Sequence, residues 1–541
     1  MAAPNQPHVI ELTLPNGQPV IVSGVQSLNK TNYFKFEFHK KSAYLEQGVF
    51  VTAPHEARKQ LHGWGLSIVG ARPWNELVAA VGEVGDFVPD RLTDRPGWTD
   101  RYFTSQFGKV YSPKGETNAR ATFRTSSKAA AKGTFRSWKR KVARLLTGQN
   151  LPIIAVLAGL AGPCLAIVGE SQNFGFEFWG KPESGKSTCL RLMKAVSGDP
   201  ADLPNFNSTL AGLETLFASH NDVGFPVDEA NLASRGGEFM TDFAFRMANG
   251  TTRLTAFQPG QPQSRFVFGT TSNQPFYDGL RKADRNIADA ALQRLIPLHV
   301  PPDNPLGVFD RLPKGFTTSG ALAAYINDAI GMSYGRPLSR MLKALVNARA
   351  ADAAGLRAKM LEHIRVFETI VGVSQSERGT TRVSHAFGLL YAVGEFAKAH
   401  KILPSAWDCM AACVAGYRNY QAQLPDHTPV TARLSTIAQR PETLDLREGP
   451  LPDLSDEDLE RHGAFIHCGR GGRIELLLTE VVQREFFPDW TALQHALDRD
   501  PSFLRERGRR QLHRTIRRCG DRKRFFCFVL FPEVAGGLTR L

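Results

Sequence analysis

The sequence predicts an α/β core built on a parallel sheet, preceded by a small mixed α/β domain and followed by a helical region and a small α+β C-terminal domain. Three observations predict it. At 541 residues the chain exceeds what one hydrophobic core organises, so several domains follow. In its middle, "NFGFEFW" alternates aromatic residues, "GKPESGKST" supplies a glycine-rich turn and "CLRLMKAV" supplies an apolar helical stripe, which together make a strand, loop and helix unit. Two later apolar runs, "VGFPV" and "RFVFG", each end in polar residues, as further strands of that sheet would.

Taken in order, residues 1–95 read as the N-terminal domain. "PNGQP" marks a hairpin turn, and "YFKFEFHK" places Phe34, Phe36 and Phe38 on one face of a half-buried strand with Lys35 and Glu37 on the other. Residues 96–150 open on a hairpin-like "PGWTDRYFTSQFGKVYSP" and run into a basic tract. There Arg136 and Lys139 flank Trp138, an interleaving that suits a nucleic-acid groove, and both are candidate contacts. The same stretch, 136–146, also reads as an amphipathic helix with Trp138, Val142 and Leu145 inward and a solvated basic face. Residues 151–310 form the core. Its "LPIIAVLAGLAGPCLAIVG" is uncharged and long enough to span a membrane. Gly159, Gly162, Pro152 and Pro163, the lack of flanking aromatic anchors and the strand close behind favour a buried core helix, so no membrane association is expected.

Residues 311–425 carry Ala-rich runs such as "SHAFGLLYAVGEFAKAH" and read as a helical lid or collar. Residues 430–541 mix strand-like "RIELLL" and "RFFCFVLFPE" with helical "DWTALQHAL" around the basic run "LRERGRRQLHRTIRRCGDRKR". That run, with Arg509, Arg510 and Arg514, reads as a helix beside a terminal hairpin, either winged-helix-like and in contact with nucleic acid or a plain basic surface helix.

Sixty-six Lys and Arg against 52 Asp and Glu give a net charge of +14 and a pI near 9.5, which favours a polyanionic partner, with nucleic acid foremost. The 7 cysteines are scattered without C-x-x-C pairs, which excludes the usual structural zinc spacing and fits a reducing cytoplasm. Cys409 and Cys413, one helical turn apart in an Ala-rich stretch, read as small core residues. The opening "MAAPNQPHVIEL" lacks a secretory pattern, and His462, His467 and Cys468 lack metal spacing.

The chemistry concentrates in the core. Gly180, Gly185, Lys186 and Ser187 fill the fixed positions of a phosphate-binding loop, with Lys181, Pro182, Glu183 and Ser184 between the glycines and Thr188 following. Backbone N–H groups of such a loop cradle phosphates, Lys186 would reach the β and γ oxygens, and Ser187 would ligate Mg2+, so ATP and magnesium are the expected cofactors. "HNDVGFPVDEAN" then supplies Asp228 to hold magnesium through water and Glu229 to polarise the attacking water, although Pro226 speaks against an ordinary central strand. "SRFVFGTTSNQP" reads as a strand from Arg265 to Gly269 with a polar tip, where Asn273, and after it Thr271, could orient the lytic water. "DAALQRLIPLHVP" puts Arg294 at a helix end, from which it could stabilise charge at a neighbouring subunit's nucleotide, with Arg281 and Arg285 as competitors. "RGTTRVSHAFGLL" puts Arg382 in a first helical turn, where a lid arginine would touch the γ-phosphate.

The order "GKPESGKST", "VDEAN", "TTSN" and "ALQRL" resembles AAA+ ATPases, and "MANGTTRLTAFQPG" resembles a loop of superfamily three helicases. More specifically, "GWTDRYFTSQFGKVYSP", "GTFRSWKRKVARL", "AVLAGLAGPCL", "TLAGLETLFASHNDVGFPVDEAN" and "RMANG" resemble the bacterial and phage family termed domain of unknown function 927, helicase-like P-loop ATPases of mobile elements, over roughly residues 10–420. The resemblance implies that Lys186, Ser187, Asp228, Glu229 and Asn273 carry nucleotide binding and hydrolysis, and that Arg253 touches DNA. Lys181 and Glu183 depart from the small residues expected in the loop. The expectation is an ATP-hydrolysing motor of helicase type acting on DNA, from a mobile element, phage or plasmid, with an ATPase switch or loader remodelling a protein partner as the alternative. A cytoplasmic homo-oligomer is expected, a hexameric ring being one form it can take.

Overall fold

The computed structural model describes residues 9–14, 17–123, 130–205, 216, 219–228, 246–247, 250, 263–277, 291–373, 378–424, 430–448, 454–468, 474–487, 513–518 and 521–529. The chain divides into two units, Met1–Leu424 and Pro425–Leu541.

The first unit begins with an antiparallel sheet of β1 (Val9–Thr13), β2 (Pro19–Gln26), β3 (Asn32–Phe38) and β4 (Lys41–Glu46), in that spatial order. The alternation of β3 is observed: Phe34, Phe36 and Phe38 are buried, while Lys35 and Glu37 pair at 2.9 Å on the other face. Helices α1 (Gln47–Thr52), α2 (Pro54–Trp64) and α3 (Ala71–Gly82) close this separate core through Phe50, Leu61 and Leu77. β5 (Val88–Pro89) joins β2 in parallel, and β6 (Leu92–Thr93) pairs with β10 (Arg120–Ala121). Between β6 and β10 lies a three-stranded meander of β7 (Gly97–Thr99), β8 (Tyr102–Thr104) and β9 (Val110–Tyr111).

The meander is tied to the core through Trp98. Its indole donates to the Pro163 carbonyl at 2.8 Å, and its backbone N–H donates to Asp222 at 3.0 Å. Asp222 is fully buried and receives two further bonds from Arg265, at 2.8 and 3.2 Å. Gly97, at φ +93°, makes the close approach possible, since a Cβ there would lie 2.3 Å from the Asn221 amide and 2.5 Å from the Asp222 carboxylate.

α4 (Phe135–Trp138) continues into a π-helical turn over Lys139–Ala143. The amphipathic helix read over 136–146 is thereby corrected. Trp138 and Val142 are buried as expected, but Leu146 is buried and Leu145 only half so. The bond from Arg144 N–H to the Lys139 carbonyl, 3.0 Å, spans five residues and moves the inward face on by one position.

α5 (Asn150–Val168) is, among the described residues, the one helix long and apolar enough to cross a membrane, and 89% of its apolar window is buried inside the protein. Its glycines explain why. A Cβ on Gly159 would lie 2.5 Å from the Met193 carbonyl, and one on Gly162 would lie 2.4 Å from the Val223 backbone. α5 can approach its neighbours only where side chains are missing. Gly162→Val is expected to cost about 3 kcal/mol or more, because the obstructing atoms are backbone and cannot rotate away, and a denaturant titration checks it.

The core sheet consists of β11 (Phe174–Gly180), β12 (Val223–Pro226), β13 (Phe266–Ser272) and β14 (Leu295–Val300), ordered β12-β13-β11-β14 and parallel throughout. α6 (Lys186–Ala195) follows β11 and buries Leu190, Leu192 and Met193. Pro226 ends the outermost strand. Val227 N–H donates inward to the Gly269 carbonyl at 2.8 Å, so by alternation the missing donor at position 226 points away from β13 and leaves the ladder intact. α7 (Ser319–Met332), α8 (Arg336–Ile370, broken at Asp352), α9 (Arg378–Ala399) and α10 (Cys409–Gln421) share one apolar core with α5 and the sheet. Cys409 and Cys413 are buried in that core; burial pushes the Cys409 thiol up to about 12, with the nearby Lys398 opposing.

The second unit is a mixed sheet ordered β15-β16-β17-β19-β18: β15 (Leu444–Leu446), β16 (Ala464–Cys468), β17 (Ile474–Leu478), β18 (His513–Arg518) and β19 (Asp521–Val529). Helices Val430–Ala438, Asp456–His462 and Glu480–Phe486 accompany it. The basic helix read around Arg514 is corrected here. Arg514 lies in β18, opposite Phe525 of β19 in an antiparallel pair. Because β19 pairs with β17 on one side only, its other edge needs a partner, and the preceding segment supplies it as the next strand. Arg509 and Arg510 lie outside the described residues.

Candidate nucleotide-binding site

The C-terminal ends of parallel strands collect loops and helix N-termini, which is where an open α/β sheet binds ligands. Here β11 leads into the loop Gly180–Ser187. Gly180 (φ +148°), Glu183 (φ +61°) and Gly185 (φ +91°) all take left-handed backbone, which the two glycines adopt without strain. Close contacts add to the requirement: a Cβ on Gly180 would meet the Val300 carbonyl at 2.7 Å, and one on Gly185 would meet Val308 at 2.7 Å.

Lys186 heads α6 and is buried, with its ammonium donating to the Gly180 carbonyl at 2.8 Å and the Lys181 carbonyl at 2.6 Å. Burial pushes the ammonium below the usual lysine range, and the nearby Asp228 carboxylate opposes that shift. The lysine is thus held across the mouth of the loop by weak neutral acceptors that phosphate oxygens can replace. Ser187 is exposed in the first turn of α6, whereas Thr188 is buried and its hydroxyl accepts from the Asn327 amide at 3.2 Å. The Thr188 hydroxyl therefore faces α7 and not the loop mouth. Lys181, Pro182 and Glu183 are exposed along the loop's outer edge, and Ser184 is half-buried with its hydroxyl on the Lys181 carbonyl at 2.8 Å.

Asp228 lies just past β12 and accepts a short hydrogen bond from the Thr271 hydroxyl. β13 is longer than its apolar run suggested: Thr270, Thr271 and Ser272 are buried strand residues, and Asn273 follows them, exposed. Glu229, Arg253, Arg281 and Arg285 lie outside the described residues.

Sequence reasoning missed two supports. Glu177, in the middle of β11, is 1% exposed; it accepts from Ser272 at 2.5 Å and from the Phe276 N–H at 3.0 and 3.1 Å, bracing both ends of the turn that carries Asn273. Its place among the apolar residues of "FGFEFW" was the available signal, since a carboxylate in a central strand must have partners. The second is the segment after β14, where Val308 N–H donates to the Ser184 carbonyl at 2.9 Å and backs the phosphate loop.

Arg294 and Arg382 lie elsewhere. Arg294 immediately precedes β14, and its carbonyl accepts from Gly175 N–H at the start of β11. Together with Arg382 and His385 of α9 it lines a cavity of about 310 Å³ against Glu170, Gln172 and Asn173. This is the N-terminal edge of the sheet, roughly 15–20 Å along β11 from the phosphate loop at 3.3 Å per residue. The reading of Arg382 as a contact to its own γ-phosphate is corrected: β11 separates the two ends. Burial pushes the Arg294 guanidinium down, and the like charge of Arg382 adds to that.

Beside this cavity, His385 lies between Glu170 (2.8 Å) and Glu368 (3.4 Å). Burial lowers its affinity for a proton, but the two carboxylates outweigh burial and the imidazole is held above the usual histidine range. A pKa raised on folding stabilises the native state below the unfolded value near 6.5 and loses that contribution as pH rises through the folded value. Wild type is therefore expected to lose stability relative to His385→Gln as pH rises from about 6 to about 8, read from thermal melts at intervals across that window.

Arg136 is exposed, and Lys139 is half-buried with its ammonium on the Lys401 carbonyl at 3.1 Å. Among the described residues no cluster of three or more His, Cys, Asp or Glu could hold a metal alone. The Ser187 hydroxyl and the Asp228 carboxylate are the oxygen donors that magnesium takes beside phosphate and water, so the residues present fit that ion.

Residues 19–265 match the family described as domain of unknown function DUF927. The matched stretch contains the phosphate loop and Asp228 and ends at the start of β13, before Asn273, Arg294 and Arg382. The structure titled "SCCmec type IV Cch - active helicase" is similar over 96% of this chain and 94% of its own, with a TM-score of 0.56 and 18% sequence identity. At that identity the likeness is one of fold, and it extends through both units. A second, titled "The X-ray structure of Inhibitor Bound to JCV Helicase", covers 44% of this chain and 65% of its own at 14% identity and a TM-score of 0.20, too low to support an argument. No curated protein matches the sequence.

Proposed function

We propose that the protein is an ATP-hydrolysing P-loop motor of helicase type that acts on DNA, with an AAA+-like core. One observation carries the reading: Lys186 sits at the head of a helix behind a left-handed glycine turn, its ammonium on the loop's own carbonyls and beside Asp228, at the C-terminal edge of a parallel sheet. Gly180 to Ser187 would bind the phosphates through backbone N–H groups and Lys186. Ser187 and Asp228 would hold magnesium, which supplies neutralisation of phosphate charge. Glu229 would polarise water and Asn273 would orient it. Arg294, on the opposite edge, would serve only a neighbouring copy's nucleotide, which makes the active form a homo-oligomer.

In this reading residues 151–310 are the motor core, 311–425 its helical lid, and the basic surface recruits DNA. A cytoplasmic location and an origin in a mobile element, phage or plasmid belong to the same proposal. The test is steady-state ATP hydrolysis by the full chain, alone and with single-stranded or duplex DNA. Turnover raised several-fold by DNA is the expected result. Turnover indifferent to every nucleic acid would shift the function to an ATPase switch or loader acting on a protein, and no turnover at all would overturn both.

A further inference from the structure

One strongly charged face belongs neither to the phosphate loop nor to the arginine cavity. It assembles from three separate segments. From α8 come Arg336, Arg340 and Lys343, spaced i, i+4 and i+7 and therefore on one side of the helix, about 10 Å from end to end. α4 contributes Arg136, and the π-helical turn that continues it contributes Lys139. The β8–β9 turn contributes Lys109.

Side-chain contacts join them. Arg340 and Lys139 both stand over the Phe135 ring, at 5.3 and 5.9 Å. Arg336 donates to the Gly133 carbonyl at 2.9 Å. Lys109 stands over Tyr111 at 5.2 Å, and Tyr111 bonds Ser339 of α8 at 3.0 Å. Burial lowers the Lys109 ammonium, and the charges of Lys343 and Arg336 lower it further, with no carboxylate among the causes. Among the described residues none of the six cations is in an ion pair. Gathering like charges without carboxylates costs self-repulsion, which a polyanion relieves.

We propose that this face, formed by Lys109, Arg136, Lys139, Arg336, Arg340 and Lys343, docks the phosphate backbone of double-stranded nucleic acid independently of sequence. The assignment rests on the reading of nucleic acid as partner and adds where, and in which form, it is held. Duplex follows from the aromatic groups. Phe135 is covered by two cations and stacks on Trp138, and Tyr111 is buried, so neither offers the open ring on which unpaired bases stack. Cations alone read phosphates, and about 10 Å of duplex presents about six of them.

The test is binding of the full chain to a labelled duplex of arbitrary sequence, and to one of its strands, by anisotropy over a series of salt concentrations. Lys109→Glu/Arg340→Glu/Lys343→Glu is compared with wild type and with Lys30→Glu/Lys40→Glu/Lys41→Glu, an equal charge change at exposed positions of the N-terminal sheet and its turns. Each lost phosphate contact removes about 0.9 from the slope of log K against log salt, so the first variant is expected to lose a slope of about 2.7 and at least tenfold in duplex affinity at low salt. Basal ATP turnover without DNA and the far-ultraviolet spectrum of that variant should match wild type. Equal losses in the N-terminal variant would show net charge alone at work and overturn the proposal, as would an unchanged duplex slope or a loss confined to the single strand. Absence of ATP turnover would overturn the motor reading and leave this binding comparison unaffected.

Discussion

Lys186→Ala is expected to reduce ATP turnover by about 10²–10³-fold, the usual cost of removing one preorganised charge from a developing transition state. The variant should fold, because the lysine's hydrogen-bond partners are two carbonyls of its own loop and no distant element depends on it. A melt matching wild type beside lost turnover separates chemistry from stability. Glu229→Gln should lose turnover equally while keeping nucleotide affinity, since it leaves the phosphate-binding groups in place and removes only the group assigned to the water. Retained turnover in Lys186→Ala would remove this loop from the reaction.

Asp222→Asn is expected to destabilise the first unit by about 3 kcal/mol, the low end for removing one partner of a buried ion pair. The low end applies because the Arg265 side chain is 31% exposed and solvent screens part of its charge, while Asp222 is fully buried. Asparagine is chosen because position 222 has φ +58°, which asparagine tolerates, so the measurement isolates the charge. With an unfolding entropy of about 2.1 cal/mol/K per residue, a unit of this size should melt about 3 °C lower. Adding Arg265→Met should restore part of the loss, because it removes the orphaned cation, and a double-mutant cycle gives the coupling. The Trp98 backbone N–H should lose its charged acceptor while the indole keeps its bond to the Pro163 carbonyl.

Much of the core was legible in the sequence because it is written locally. The phosphate loop, the alternation of Phe34, Phe36 and Phe38, and the buried stripe of α6 depend on spacing within a dozen residues, and backbone geometry converts spacing directly into faces. The all-apolar α5 was also legible as a core helix, since its glycines mark close approach.

What failed was set by partners distant in the chain. β13 continues through Thr270, Thr271 and Ser272 because Asp228 and Glu177 satisfy two of those hydroxyls, information absent from the segment itself. Leu146 replaces Leu145 in the core because one π-helical turn shifts the face. Arg514 lies in a strand because β19 offers it a ladder. Arg382 is at the opposite end of β11 from the glycine loop because the path of α9 is decided by packing on α5 and α8.

By itself, then, the sequence determined which residues make the glycine turn between β11 and α6 and that an acid follows one strand later, because both are encoded in short-range backbone preferences. Only the tertiary structure decided that Asp228 and Lys186 share one edge while Arg294 and Arg382 share the other, because a seven-residue parallel strand holds its two ends apart and only chain topology assigns each residue to an end.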